Sequence, residues 1–396
     1  MLVKIIENLE LIEPHQAFFI LKNCLSIPKL IYLLRSAPCF KCKEELEVFD
    51  TAIKTNMEKI CNVSSGEENW SQASLPIRHA GLDLCSATDL SLPCFLSLSH
   101  ACKGLVNRLL PSLNLAIPDG EVNDAIDDWS EHHDSSPQEK EIQAAWDDLA
   151  CRDTLNSLLN TNNPWNHCRL LAAQESHTAA WSEAFAIASV GNLLSADELH
   201  IAIALRTGAK MFECTTCCSG KIVDELGVHG LTCTKNAGRF PRHSAINSML
   251  KRSLTCIGLP STLEPVGLTN SGRRPDGLTL GYWYRGLSLV WDATVVDTYA
   301  QGHYKDSARQ AGFAATKAEA AKCHKYHDLQ SNCHFQGVAI ETTGVYGKST
   351  APFLSGLTKK VVDVSGDPRE RQWLHQRLSL AVARGNAASI LACVQV

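Results

Sequence analysis

The sequence predicts an α+β chain, in which a helical N-terminal region precedes a smaller core of order α-β-β-β-α-β. Three observations carry this. Apolar residues in the first half recur at helical spacing, as in Leu46, Phe49, Ile53, Met57 and Ile60. In the second half two strand-like runs, 276–284 and 287–296, flank Arg285-Gly286, a two-residue hairpin signal. An alanine-rich helical stretch, 307–329, then leads to a last apolar strand at 335–342.

Taken in order, 31–35 is a short apolar run ending near Pro38, and 46–60 is a helix. A polar break follows at 64–69. A helix over 86–103 has Ser86 or Thr88 as its cap. The acidic stretch 119–148 reads as a solvated linker running into a helix at 142–159, and 182–206 is helical again. A Cys-rich knot occupies 213–234. Beyond it come a helix at 242–257, a short extended piece at 262–268, the hairpin and the alanine-rich helix. An amphipathic helix over 369–391 closes the chain. The expected organisation is a helical region 1–115, an acidic linker and helical connector 116–212, the knot 213–234, the α/β core 235–345 and a closing helix 346–396.

A chain of 396 residues with 45% hydrophobic and 20% charged residues has room for two or three domains and a sizeable core. No stretch approaches the roughly 18 to 20 apolar residues of a membrane span. Charges thread the first residues, against a signal peptide, so an intracellular protein without a membrane partner is expected. Seventeen cysteines scattered over such a chain read as reduced and mostly buried. The net charge of −5 hides an asymmetry. Residues 119–148 carry eleven acids against Lys140, whereas 234–285 carry eight bases against Glu264 and Asp276. The second segment offers a local basic face for phosphate contact.

Three constellations can do chemistry. Cys214, Cys217 with Cys218 beside it, His229 and Cys233 have the composition of a tetrahedral zinc site, with Gly227 and Gly230 supplying a turn around His229. Whether Cys217 or Cys218 ligates stays open, and reactive or buried thiols are the alternative. The second set is Asp276, Asp292 and the pair Lys322 and Lys325. Asp292 interrupts an apolar strand, where a carboxylate is costly unless paired or bound to a cation. Two carboxylates on adjoining strands can share Mg²⁺, which activates water and steadies charge on a phosphate. Lys322, Lys325 and Tyr326 share a helix face, so either lysine can stabilise developing charge. Ordinary structural carboxylates and a solvated lysine face are the alternative. The third set is basic: Arg239, Arg242, His243, Lys251, Arg252, Arg273 and Arg274 can track a nucleic-acid backbone or form a solvated face. Asp127-Asp128 and Asp147-Asp148 look like a polymerase pair but lie in polar helical surroundings. Glu264 and Glu341 fall near the carboxylate set as further ligands or structural groups. His132, His133, His324 and His327 read as surface residues.

The ordered set 227–233, Arg242-His243-x2-Ile246-Asn247, Arg274-Pro275-Asp276-Gly277, Trp291-Asp292-Ala293-Thr294 and Lys322-x2-Lys325-Tyr326 resembles the C-terminal region of non-LTR retrotransposon polyproteins. Segments 32–38, 70–76, 376–380 and 384–388 extend the resemblance over nearly the whole chain. It implies a reverse transcriptase thumb and connector remnant, then a CCHC zinc motif and a restriction-like PD-(D/E)xK endonuclease core. Asp276 and Asp292 would hold Mg²⁺, a lysine from Lys322 or Lys325 would complete the site, and Cys214, Cys217, His229 and Cys233 would hold structural Zn²⁺. Arg239, Arg242, His243 and Arg274 would contact DNA. The lysine two residues after the second acid is replaced by Thr294, and the first Cys pair is out of register with the family's turn. The implied activity is nicking of target DNA for target-primed reverse transcription, in the nucleus. Element RNA and a separate polymerase portion are the further partners, since fingers and palm are absent from this sequence. A catalytically inactive nucleic-acid-binding zinc protein is the alternative, and an unrelated helical scaffold with an accidental Cys cluster is the second.

Overall fold

In the computed structural model Arg285 and Gly286 both take positive φ, 48° and 76°, as the expected two-residue hairpin requires. The structure describes residues 8–109, 120–217, 219–233, 235, 239–269 and 272–394. The chain divides into two compact units, Met1–Thr161 and Asn162–Val396.

The first unit is helical. Its longer helices are α1 (Lys43–Cys61), α2 (Ala87–Leu109), α3 (Gly120–His132) and α4 (Gln143–Leu159). Ser86 caps α2, its hydroxyl accepting from Asp89 N–H at 3.1 Å. The segment read as a linker is mostly ordered helix. Ala125 and Trp129, four residues apart on α3, are buried with Phe95 and Trp146, while Glu121, Asp124, Asp127 and Glu131 stay exposed. One apolar stripe suffices to dock a helix whose other faces are acidic. Trp129 and Trp146 meet edge-on at 4.8 Å. The expected break at 64–69 already contains the start of the helix Glu67–Ala73. One expectation about membranes is corrected: residues 14–36 are long and apolar enough to cross one by composition. In the fold Pro28 and Ser26 break that stretch into short helical pieces, and buried Lys22 pairs with Asp83 at 3.1 Å.

The second unit is α+β. It opens with α5 (Pro164–Ala173) and α6 (Ala196–Thr207), the latter started by a Ser195–Glu198 capping box. The expected connector 116–212 is therefore divided between the units, and its continuous helix 182–206 is broken into shorter turns before α6. Two-residue strands β1 (Thr215–Thr216) and β2 (Ile222–Val223) pair in the Cys-rich knot. The core then runs α7 (Arg239–Cys256), β3 (Ser261–Leu263), β4 (Gly277–Tyr284), β5 (Leu287–Val296), α8 (Phe313–Lys325) and β6 (His334–Glu341). This is the expected element order. The expected single helix 307–329 is interrupted, because Gly312 takes φ 75° just before α8. The sheet order is β3-β4-β5-β6, antiparallel up to β5 and parallel between β5 and β6, a pairing that needs the α8 crossover.

Two helices follow where one was expected: α9 (Thr350–Ser365) and α10 (Arg369–Val394). The closing helix is not amphipathic in the structure. Residues Leu378 to Ala383 are all buried in sequence, which marks a central helix covered on every side. Leu289, Trp291 and Ala293 on one sheet face pack with Ile246 and Leu250 of α7, Leu357 of α9 and Leu378 of α10. Val290, Leu278 and Phe335 on the other face pack with Tyr326 beyond α8. Trp291 of the inner face is fully buried. Gly277 is required beside it, since a Cβ there would stand 2.0 Å from the indole.

Candidate functional site

The hairpin brings the two predicted aspartates together. Asp276 N–H donates to the Trp291 carbonyl at 3.0 Å, and the Asp276 carboxylate accepts from Ala293 N–H at 2.7 Å. These bonds straddle Asp292, the residue between. Asp292 is 3% exposed. Its Oδ1 accepts from Lys322 Nζ at 3.0 Å, and Lys325 Nζ lies 3.5 Å from Oδ2. Oδ2 has no hydrogen-bond partner among the described residues. Burial raises the Asp292 carboxyl above its usual range; Lys322 opposes the shift and the charge of Asp276 adds to it.

Asp276 behaves oppositely. Burial raises it, but the bond and charge of His243, together with the hydrogen bonds from Ala293 N–H and Asn247, outweigh burial and hold the carboxyl below its usual range. His243 Nε2 is 2.9 Å from Asp276 Oδ2, and that bond raises the imidazole above its ordinary value, against burial. A depressed carboxylate next to a raised one is a common arrangement at functional sites.

The surroundings explain residues whose roles were unassigned in the sequence. Asn247, one turn after His243, accepts the Trp291 indole N–H at 3.0 Å and so ties α7 to β5. Tyr326, which ends α8, donates its hydroxyl to the Arg274 carbonyl at 2.7 Å and pins the loop carrying Asp276. Gly337 of β6 pairs with Asp292. A Cβ there would lie 3.3 Å from the Lys322 Cβ and the Glu319 carbonyl. Glycine at 337 lets α8 approach the sheet closely enough for Lys322 to reach Asp292. An isolated Gly in an apolar strand is the sequence signal for such an approach.

Glu319 and Glu341 are structural. The Glu319 carboxylate accepts Ser349 N–H at 2.9 Å and Thr350 N–H at 2.7 Å, capping α9. Glu341 accepts from the Thr298 hydroxyl at 2.9 Å and Ala315 N–H at 3.2 Å. Glu264 is exposed and holds φ 49° in the turn after β3.

In the knot, Cys217, His229 and Cys233 place their ligating atoms within 4.8 Å of one another. Cys217 Sγ is 3.1 Å from His229 Nε2. Gly227, at φ 65°, starts the short helix Val228–Thr232 that presents His229. Burial raises the Cys217 thiol, but hydrogen bonds from Ser219 and His229 overcome it and bring it down to about 6, which favours the metal-binding thiolate. Three soft or borderline ligands at this spacing fit zinc, whose four-coordinate shell needs one more. Cys214 does not supply it in this conformation: it is exposed and stands outside the cluster. Cys218 lies outside the described residues.

The predicted basic face is only partly available. Arg274 is exposed. Arg242 is not: it is 4% exposed and donates to Asn386 of α10 at 2.5 Å. The close approach of Gly385 to its stem explains this burial. Arg242 is therefore a helix-packing residue and not a phosphate contact. The side chain of Arg239 lies outside the described residues. Asp127, Asp128, Asp147 and Asp148 fall on α3 and α4, and Asp148 pairs with His79 and Arg78 as a surface group. Compared with protein-family models and with curated proteins, the chain matches none.

Proposed function

We propose that the second unit is a Mg²⁺-dependent phosphodiester hydrolase acting on DNA, with a restriction-like αβββαβ core. More particularly, we read it as the endonuclease of a retroelement that nicks its target for reverse transcription. The observation that carries this is buried Asp292, whose charge adds to that of Asp276 and whose Oδ2 has no hydrogen bond and only a 3.5 Å ion pair to Lys325. Two buried, mutually repelling carboxylates are costly, and the long Lys325 contact offsets this only in part; a hard cation shared by both would remove the remainder.

A bound Mg²⁺ supplies positive charge against the scissile phosphate and an acidified water. The chain's own residues do the rest. Asp276 and Asp292 offer the oxygen ligands. His243 fixes the orientation of Asp276, and Tyr326 fixes the loop that carries it. Lys322, now bonded to Asp292 Oδ1, stands at the edge of the pair that would hold the ion, where its charge would stabilise a phosphate gaining negative charge. Lys325, on the same helix face, extends the positive rim. Cys217, His229 and Cys233 with a fourth ligand would hold Zn²⁺, and the knot carrying them packs against Ile390 and Cys393 of α10. Nuclear action, element RNA and a polymerase partner belong to the same reading.

The test is nicking of supercoiled plasmid in Mg²⁺ by the wild-type chain and by Asp276→Ala and Asp292→Ala. Each substitution is expected to lower the rate by more than about 100-fold, since even partners of metal ligands contribute ~10- to 100-fold. Nicking that survives both substitutions discards the site. One observation favours a second reading, an inactive nucleic-acid-binding zinc protein: Lys322 and Lys325 already neutralise Asp292 without a cation. Wild-type chain that binds DNA but never nicks it selects that reading.

A further inference from the structure

A groove runs between α7 and α10 and is closed at one end by Leu263 of β3, away from the residues of the carboxylate site. Its floor is apolar: Met249, Leu263, Leu374 and Trp373. Its rim carries Lys251, Arg252 and Arg377 against the single carboxylate of Glu370. Trp373 is 43% exposed, in the first turn of α10 where Arg369, Arg371 and Gln372 are also exposed, and it presents its indole to the groove. The Arg377 guanidinium lies 4.6 Å from its ring centroid.

The rim is electrostatically crowded. Burial and the neighbouring guanidiniums of Arg252 and Arg384 hold the Arg377 guanidinium below its ordinary range. Arg384 has its own partners, donating to the Gly191 and Leu193 carbonyls at 2.9 Å. Arg377 makes one long bond of 3.4 Å to the Val190 carbonyl. Crowded like charges beside an aromatic ring match a polyanion that also presents flat apolar faces.

We propose that this groove binds a single strand of DNA, with phosphates along Lys251, Arg252 and Arg377 and an unstacked base on Trp373. Duplex DNA hides its base faces and leaves the apolar floor unused, so the single strand fits better. The choice of DNA rests on the endonuclease reading, in which a nick frees a strand end near the same unit.

Fluorescence anisotropy tests this with labelled oligonucleotides of about 15 nucleotides in Mg²⁺-free buffer, using the full chain. The single strand is expected to bind more tightly than its duplex or the matching RNA. Trp373→Ala should weaken it about tenfold. Arg252→Ala should lower the slope of log affinity against log salt by about 0.7. Arg252 is exposed, so this variant reads the groove even where Trp373→Ala misfolds. Equal or tighter binding of duplex or RNA overturns the proposal, as does single-strand binding indifferent to both substitutions. Plasmid nicking is measured in parallel. Nicking with no groove-dependent strand binding sinks the groove and leaves the endonuclease. Groove-dependent binding without wild-type nicking sinks the endonuclease and leaves the groove.

Discussion

The carboxylate pocket and the cysteine–histidine knot are built in opposite ways. Lys322 reaches Asp292 across 30 residues of chain, and His243 reaches Asp276 across 33. Four elements, α7, β4, β5 and α8, must pack before the pocket exists. In the knot, Cys217 and His229 are 12 residues apart. Its strands have two residues each, and its apolar side chains, Val223, Val228 and Leu231, pack onto neighbouring elements rather than forming a core of their own. The pocket is thus a product of the core, whereas the knot has too little core to hold itself. The helix α10 joins them. Leu374, Leu378 and Val382 pack behind the sheet, while Ile390 abuts Gly230 and Cys393 lies among the knot cysteines.

The largest expected effect follows from that contrast. Zinc removal should open the knot and leave the sheet. Structural zinc binds with an apparent ~10–16 kcal/mol in small domains, and that binding energy is folding energy. The native chain should carry one zinc by atomic absorption. A mild chelator, or Cys233→Ser, should then expose the amides of 211–233 to hydrogen exchange while those of β5 and β6 stay protected. A zinc ratio near zero, or a knot equally protected without metal, would erase the distinction.

Acid offers a probe of the other end of α10. His375 is buried, stacked on His177 at 3.7 Å between ring centroids, and hydrogen-bonded to the Tyr346 hydroxyl at 3.1 Å. Burial, with the nearby His177 and Arg371, depresses its pKa to about 4. An unfolded histidine titrates near 6.5. The unfolded chain therefore takes up the proton first. The stabilisation from burying neutral His375 is complete above about pH 6.5 and is lost as pH falls towards about 4, a difference of roughly 3 kcal/mol. Denaturant midpoints should drop over that window, and His375→Phe should flatten the drop. An unchanged pH profile in the variant would remove His375 from the account.

Legibility in the sequence followed the same division. The hairpin, the two aspartates and the lysine-bearing helix were readable because each announces itself locally: a turn dipeptide, an acid in an apolar strand, an i, i+3 spacing. The α+β class and the element order from α7 to β6 follow from those signals. What could not be read were facts of tertiary burial. Arg242 looked like a phosphate contact until Asn386, from a helix 144 residues away, claimed it. Helix α10 looked amphipathic because its polar residues, His375, Gln376, Ser379 and Asn386, are buried with partners and not solvated. Helix α3 looked like a linker because an acidic surface masks a stripe of two buried residues. Cys214 looked like a ligand because spacing cannot say which way a side chain turns at the edge of a two-residue strand.

The smallest expected effect tests whether the pocket is preorganised by packing, as its construction implies. Gly337→Ala adds one methyl group at the point where α8 lies on β6. The new Cβ would sit 3.3 Å from the Lys322 Cβ and from the Glu319 carbonyl, and 3.4 Å from the Glu319 Cα. That is tight enough to push α8 outward by a few tenths of an ångström without breaking the sheet. Overpacking of this kind costs about 1 kcal/mol, so the fold should survive with a small loss in melting temperature. The same displacement lengthens the Lys322 to Asp292 contact, now 3.0 Å, and misplaces the lysine. Nicking should therefore fall by about tenfold, more than stability alone accounts for, because small displacements of a catalytic group are expensive. Gly281→Ala on the hairpin is the control, since its Cβ would meet only the flexible tip of Leu259 at 3.0 Å. If both variants nick at the wild-type rate, close packing of α8 on β6 does not set the lysine, and the pocket resembles the knot in being shaped by its ion.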